Sequence, residues 1–299
     1  MTVASARVAA QAKLNLHLRV LSREATGYHS IETIFHRIDL ADDVVVSITD
    51  GERTIDVAGA ETGPAESNLA YRAAALYASH AGWPAGFRIE LEKRIPVGAG
   101  LGGGSADAAA VLRALNFLSP RPIPVHGLLE LAAGLGADVP FLASGAVMAL
   151  AWGRGERLLE CAPLPRRDIL LMTPEFSVAT ADAYRWLDDD RMSETDAGAV
   201  SGNAPLLIDP VALTTWDSIA RFARNDFEPV VAARHPRLEG YLEALRRSRA
   251  SFAQMTGSGS TIFGVLDSPV RFAKVPEEHR SSVTTTKTSI DVVQPIGAG

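Results

Sequence analysis

The stretch that most limits what this chain can fold into is IPVGAGLGGGSAD at 95–107. Gly98, Gly100, Gly102, Gly103 and Gly104 leave the backbone free to take φ > 0 and to approach another group with no Cβ in the way. The run follows the alternating segment FRIELEKRIP at 87–96 and precedes the Ala-rich SADAAAVLRALNFL at 105–118, a pattern of strand, glycine loop and helix. Such a loop presents successive N–H donors and a helix N-terminus, for which phosphate is the natural occupant. Gly98, Gly100 and Gly103 also match the loose dinucleotide pattern G-x-G-x-x-G. That pattern belongs at a first strand-to-helix turn, with an acidic residue about 20 positions on to hold a ribose, and neither condition is met. No Lys-Ser/Thr pair ends the loop, so it is not a Walker loop. A plain connector between strand and helix explains one or two glycines more easily than five.

With 299 residues, 47% of them apolar, the chain is long enough for a sizeable core and reads best as two domains. The formal charge of −6 argues against a nucleic-acid partner, so an anionic small molecule has to be held by local donors. Cys161 is the single cysteine, which excludes an intrachain disulfide and fits a reducing cytosol. No stretch reaches the ~20 apolar residues of a membrane span. The apolar section at the N-terminus is broken by Gln11 and Lys13 too early for a signal peptide, so a cytoplasmic location is expected.

Along the chain, residues 7–20 alternate as a strand, which puts Lys13 and Asn15 on one side of it. A lysine there serves either a phosphate site or an edge facing water. Gly27 marks a turn, and Tyr28 with His29 after it suits a nucleobase by stacking and edge hydrogen bonds, or equally a turn capped by a half-buried ring. A strand is expected at Val44–Ile48 and a connector at 50–67. NLAYRAAALYASHAG at 68–82 reads as a helix with Asn68 as N-cap and Gly82 as stop. Ser105 is expected to cap the helix after the glycine loop, with Asp107 either a first-turn carboxylate favoured by the macrodipole or a contact to a divalent cation beside the phosphate. A short helix at 126–136 leads to Gly136-Ala137-Asp138-Val139-Pro140-Phe141, where an acid is held rigidly among small and apolar neighbours. Asp138 is there either a base or the cap of the next turn. Residues 145–160 read as a hairpin, 166–173 as a strand, and the following loop carries Thr180 and Tyr184. A mobile surface excursion is expected at 188–204, then helices over 211–233 and 236–249 with Trp216, Phe222 and Phe227 in the core. A second glycine cluster, Met255–Ser260, precedes the strand TIFGVL; it either shares a cleft with the first or simply turns the chain.

Taken together, three segments resemble the GHMP kinase superfamily of small-molecule kinases. Ala12-Lys13-Leu14-Asn15-Leu16 is similar to its N-terminal element, Pro96 through Gly102 to its central loop, and Gly257-Ser258-Gly259 to its C-terminal glycine element. Gly27-Tyr28-His29, Gly102-Gly103-Gly104 before Ser105, Leu135 through Pro140, and Gly153-Arg154-Gly155-Glu156 resemble the branch that acts on a cytidine-diphosphate alcohol of the non-mevalonate isoprenoid route. The resemblance runs from about residue 8 to 266. It implies an α+β, two-domain fold with the active site in the interdomain cleft. Residues 1–160 would form an ATP-binding domain and 161–299 a substrate-binding one.

The resemblance further implies that Lys13 and Asp138 are the catalytic pair, Asp138 taking the proton of the substrate hydroxyl and Lys13 orienting it. Pro96, Val97, Gly98, Ala99, Gly100, Leu101, Gly102, Gly103, Gly104, Ser105 and Ala106 would hold the ATP phosphates with Mg²⁺. Tyr28 and Tyr184 would sandwich a cytosine, His29 would read its edge, and Asn15 and Thr180 would add substrate contacts. The implied partner is a small molecule with a cytidine diphosphate group, with no nucleic acid and no membrane. Two alternatives stand beside this: a GHMP kinase acting on mevalonate-type or sugar alcohols, which has no use for an aromatic clamp, and a silent nucleotide-binding regulator, which has no use for both Lys13 and Asp138. Three positions depart from the family pattern. Thr26 stands where Asp is common, Ser-Ala-Asp at 105–107 where Ser-Ser-Asn is common, and Pro269 and Pro276 break the tail, leaving VTTTKTSIDVVQPI to supply a last strand.

Overall fold

Alternating apolar residues along the first fifty positions build the longest pair of strands in the molecule. The computed structural model describes residues 4–24, 27–196, 210–248, 250–267 and 280–296. Strand β1 (Ser5–Arg23) runs antiparallel to β2 (His29–Thr49), with the reversal at Gly27, whose φ is 87°. The strand expected at Val44–Ile48 is thus the end of a far longer one, since Ile31, Ile34, Phe35 and Ile38 are buried as well. Residues 50–67, expected as a connector, contain β3 (Arg53–Ala58), a half-exposed strand whose mixed alternation carries little signal. Helix α1 (Leu69–Ala81) follows, with the Asn68 Oδ1 accepting from the Ala70 N–H at 2.9 Å and Gly82 left-handed after it. Its buried residues, Ala70, Ala73, Ala74, Tyr77 and Ala78, fall at i, i+3, i+4, i+7 and i+8, one apolar stripe. It crosses to β4 (Gly86–Glu92), which lies parallel to β3, as a connection through a helix requires.

After β4 comes the glycine loop and then α2 (Gly103–Leu118), apolar on nearly every side because α1, β1 and a later helix all pack on it. Helices α3 (Val125–Ala133) and α4 (Val139–Ala143) lead to the hairpin β5 (Met148–Gly153) and β6 (Arg157–Cys161). These strands and the chain's last one form a seven-stranded sheet. Strand β2 changes neighbour midway: Ile31–His36 pair with β5 and Asp43–Thr49 with β4. Between those stretches, at 37–42, its groups are open to other partners.

The second half starts with β7 (Asp168–Thr173) and α5 (Thr180–Asp196). Thr180 and Tyr184 therefore lie on a helix and not in a loop, and 188–196, expected as part of a surface excursion, are its last turns. The rest of that excursion, 197–204, lies outside the described residues. The helix expected over 211–233 is instead a short turn at 210–214, α6 (Trp216–Phe222) and α7 (Phe227–Arg234). It breaks because Leu18 of β1 donates its N–H to the Arg224 carbonyl and accepts from the Asp226 N–H, which pulls 224–226 into extended pairing. Helix α8 (Arg237–Arg247), β8 (Ala250–Met255), β9 (Ile262–Leu266) and β10 (Arg280–Thr285) complete a four-stranded sheet in the order β10-β7-β9-β8. Pro269 and Pro276 lie outside the described residues. The tail does supply strands: β10 joins the second sheet, and β11 (Gln294–Ile296) returns to pair with β1 in the first. Among the described residues no helix is long and apolar enough to cross a membrane.

Candidate active site

The site is built where β1, the glycine loop and α4 meet. Lys13 is 3% exposed, with Arg37 of β2 opposite it on one side and its own N–H donating to the Leu101 carbonyl of the glycine loop on the other, so it is not an edge lysine facing water. Its Nζ donates to the Asn15 Oδ1 at 2.7 Å and to the Gly100 carbonyl at 3.1 Å, and lies 3.2 Å from the Asp138 Oδ2. Asp138 stands at the start of α4 without using its side chain as a cap, and its carboxylate, 27% exposed, faces the cleft. The cleft, of about 610 Å³, is lined by Lys13, Asn15, Asp138, Thr180, Tyr184 and the glycine loop.

Gly98, Gly100 and Gly102 have φ of 68°, 78° and 75°. A Cβ on Gly100 would run into the Thr256 carbonyl, and one on Gly102 would come within 3.0 Å of the Lys13 Cε. Gly257, from the second glycine cluster, sits so that a Cβ would lie 2.9 Å from the Gly100 carbonyl. The two clusters therefore share one cleft, packed backbone against backbone. Asn225 fixes the second, donating from Nδ2 to the carbonyls of Met255 and Gly257 at 2.8 Å each. Thr256 Oγ1 accepts from the Asn15 N–H at 3.0 Å, and Thr180 Oγ1 meets Ser258 Oγ at 3.0 Å.

Helix α2 is capped by Gly102 with no side-chain bond, so Ser105 is not the cap. It lies in the first turn and lines the cleft beside Gly103 and Gly104, where the helix N–H groups lack intrahelical partners. Leu101 and Ala106 differ from the rest of the run: both are buried in the core, and the Ala106 N–H is spent on the Gly102 carbonyl. Asp107 is likewise not a solvated first-turn carboxylate. It is buried, its Oδ2 2.7 Å from the Lys93 Nζ, and Lys93 also pairs with the buried Asp42. Burial pushes Asp107 up to about 7, with Lys93 pulling down and the Asp42 charge pushing further up. The alternation of 87–96 puts Lys93 in phase with no acid, so this pairing had no local signal.

The aromatic pair sits at the rim. Tyr28 is 60% exposed, with the Arg154 guanidinium 4.1 Å above its ring centroid. His29 stacks on Tyr184 at 4.7 Å and its Nε2 lies 2.7 Å from the Asp188 Oδ1. A carboxylate only accepts, so Nε2 carries a proton directed at Asp188 and Nδ1 is the ring nitrogen left free to meet a ligand. Burial, then the Asp138 charge, pushes the Tyr184 hydroxyl up to about 12, which keeps it neutral. Arg154 and Asp188 were missed as site residues; the Gly153-Arg154-Gly155 string was the one signal for the first.

A buried ammonium beside a carboxylate, at the mouth of a glycine cradle joined to a helix N-terminus, defines an ATP-dependent small-molecule kinase. Known proteins agree. The GHMP kinases N terminal domain matches residues 68–168, and the GHMP kinases C terminal matches 210–283. A 4-diphosphocytidyl-2-C-methyl-D-erythritol kinase of Pelotomaculum thermopropionicum is 39% identical over 257 residues, 86% of this chain and 87% of its own. That of Solibacter usitatus is 39% identical over 267 residues, 89% of this chain and 82% of its own. A crystal structure of 4-(cytidine 5'-diphospho)-2C-methyl-D-erythritol kinase superposes with a TM-score of 0.72 at 34% identity, covering 94% of this chain and 98% of the other. The homoserine kinase of Cytophaga hutchinsonii, with a TM-score of 0.65 at 20% identity over 98% of this chain and 97% of its own, shares the fold. The chain belongs to the GHMP kinases and, within them, to the family of the 4-diphosphocytidyl-2-C-methyl-D-erythritol kinases.

Gly100→Ala forces a left-handed alanine, a strain of about 1–2 kcal/mol, on top of the collision with Thr256. The expected result is ATP affinity lowered by about tenfold, the equivalent of 1.4 kcal/mol, in calorimetry with far-UV circular dichroism unchanged. Asp107 holds its proton in the folded state between about 4 and about 7 while the unfolded chain has released it, so its contribution to stability is lost as pH rises through that window. Asp107→Asn removes this dependence. The melting temperature of the variant relative to wild type should therefore climb steadily over the same window, and a constant difference would refute the burial argument.

Proposed function

We propose that this protein transfers the γ-phosphoryl group of ATP to a hydroxyl of 4-diphosphocytidyl-2-C-methyl-D-erythritol, in the cytoplasm, as a step of the non-mevalonate route to isoprenoid precursors. The observation that carries the catalytic part is the 3.2 Å contact of Lys13 with Asp138 at the edge of the glycine cradle. Asp138 accepts the proton of the attacking hydroxyl, and Lys13 orients that hydroxyl and offsets negative charge. The loop Pro96–Ala106 holds the phosphates by the amides it leaves free and by the start of α2, with Pro96, Leu101 and Ala106 shaping the loop and donating none. Phosphoryl transfer needs positioning and electrostatic stabilisation above all, and these groups supply both.

The cleft also suits Mg²⁺ carried on phosphate oxygens, since that ion takes only one or two protein carboxylates, and Asp138 and the Ser105 hydroxyl line the same space. When bound, it would neutralise phosphate charge. At the rim, Tyr28 and Tyr184 would clamp the cytosine. His29, whose Nε2 is engaged by Asp188, has Nδ1 left to hydrogen-bond the edge of that base. Asn15 and Thr180 are the further substrate contacts, and the clamp drawn from both halves of the chain is what favours this substrate over mevalonate or homoserine.

A kinase assay with the cytidine-diphosphate alcohol and ATP·Mg²⁺, run beside mevalonate and homoserine, tests the reading; phosphorylation of either smaller alcohol at comparable kcat/KM would overturn it. Asp138→Asn should lower kcat by about two orders of magnitude or more, in the general-base range, with ATP binding little changed. Tyr28→Ala should raise KM for the cytidine substrate by roughly tenfold, the stacking of a single base being worth about 1–3 kcal/mol, while KM for ATP stays put.

A further inference from the structure

Among the described residues Arg37 is the largest fully buried side chain, and no carboxylate stands within ion-pair distance of it. It lies in the 37–42 stretch of β2, where its N–H donates to the Val147 carbonyl and its own carbonyl accepts from the Lys287 N–H. Its guanidinium donates instead to four main-chain carbonyls. Nε reaches Ala146 at 2.8 Å, and Nη2 reaches Phe141 at 2.9 Å, Leu142 at 3.0 Å and Ser144 at 3.1 Å. Those carbonyls are the C-terminal end of α4 and the residues just after it. The N-terminal end of the same helix carries Asp138.

In the sheet, Arg37 is the cross-strand partner of Lys13, and directly opposed residues point to the same face. The two cations thus stand side by side under one five-residue helix, about 7.5 Å long, one at each end. Like charges in opposed positions disfavour a sheet, so each has to be held by what it touches. Lys13 has the carboxylate of Asp138, and Arg37 has the carbonyls at the end of the helix, the Phe141 one shared with the Ser144 N–H and hydroxyl. The faces between them are filled: Phe35 stacks on Phe141 at 5.0 Å, Lys13 lies 5.6 Å over the Phe35 ring, and the Arg37 Cζ lies 5.0 Å over the Phe141 ring. Burial, with repulsion from Arg113 partly offset by Asp291, lowers Arg37 to about 9, which leaves it cationic at neutral pH.

We infer that Arg37 is a positioning residue for phosphoryl transfer: by gripping the carbonyl end of α4 it fixes the carboxylate of Asp138 against Lys13 and the glycine cradle. This rests on Asp138 being the base. A helix this short makes few bonds of its own, and at its ends Val139 donates to Gly136, Leu142 to Asp138, and Ser144 to Pro140 and Phe141. Its five residues are all buried, so packing fixes its body, and what holds its ends fixes its tilt and register, with Arg37 supplying the far one.

A double-mutant cycle with Asp138 tests this. Arg37→Met is expected to lower kcat by roughly tenfold to a hundredfold, the cost of displacing a reacting group by about 1 Å, with KM for both substrates little changed. Arg37→Lys, which keeps a cation with fewer donors, should recover part of the loss and carries the test if the methionine variant does not fold. In an Asp138→Asn background either change should have no further effect on kcat, because the group being positioned is gone. An equal loss in both backgrounds, or a rise in both KM values with kcat intact, makes Arg37 a general brace and overturns the inference alone. Near-normal turnover of Asp138→Asn by itself would instead remove the base assignment, and the inference with it.

Discussion

The site depends on a buried ammonium. Lys13 is almost wholly removed from water, and a charge in that position is tolerated only when fully bonded. Its acceptors come from three separate pieces of chain: Asn15 on its own strand, Gly100 in the glycine loop and Asp138 ahead of α4. Until β1, the loop and α4 are packed together, none of the three can meet it. The requirement to satisfy one cation therefore brings Asn15, the glycine loop and Asp138 to the same place. Removing any one acceptor leaves the ammonium underbonded, so the geometry of the others is stiff.

The glycines of the central loop do two jobs, and the structure separates them. Gly100 and Gly102 are required by the protein itself, because Thr256 and Lys13 occupy the space that a side chain would need. Gly103 is pressed against Ile95 in the same way. Gly98 and Gly104 have only ordinary contacts around their Cβ positions, so they are the ones whose bareness serves the cleft. The second glycine cluster is part of the same device: Gly257 lets its loop close on Gly100, and Asn225 holds it there. Since Asn225 belongs to the segment bridged to Leu18 of β1, the second sheet is anchored to the strand that carries Lys13. The cleft is thus shaped from both halves at once.

Around that centre, charged side chains are arranged in small closed sets. Asp42 accepts from the N–H groups of Arg94 and Ile95 as well as from Lys93, so it pins the chain where the glycine loop leaves β4. Lys93 in turn carries Asp107 on α2, linking both ends of the loop through one ammonium. At the rim, Asp188 sets the proton on His29, and Glu24 holds the Arg154 that covers Tyr28. A rigid loop between two pinned ends is what a cradle of amides needs, because donors fixed in advance cost no reorganisation when charge develops.

Much of this was legible in the residues. The alternation of 7–20 and 87–96, the Asn68 cap, the Gly82 stop and the 145–160 hairpin specify their elements by local periodicity and turn chemistry alone. Lys13, Asn15 and Asp138 stood out as groups whose spacing suits a site. What the sequence could not fix was which charged group meets which. Asp107 looked like a helix-turn carboxylate, Tyr184 like a loop residue, and 211–233 like one helix, and each differs in the fold. Nor did anything in TIFHRIDL mark Arg37 as the grip on a distant helix. Periodicity is a property of neighbours along the chain, so sequence determined the elements, their order and the glycine loop. The partner of a buried charge is a property of neighbours in space, so the pairing of Lys13 with Asp138, of Lys93 with Asp107 and of Arg37 with main-chain carbonyls was decided only when the sheet and its helices closed over them.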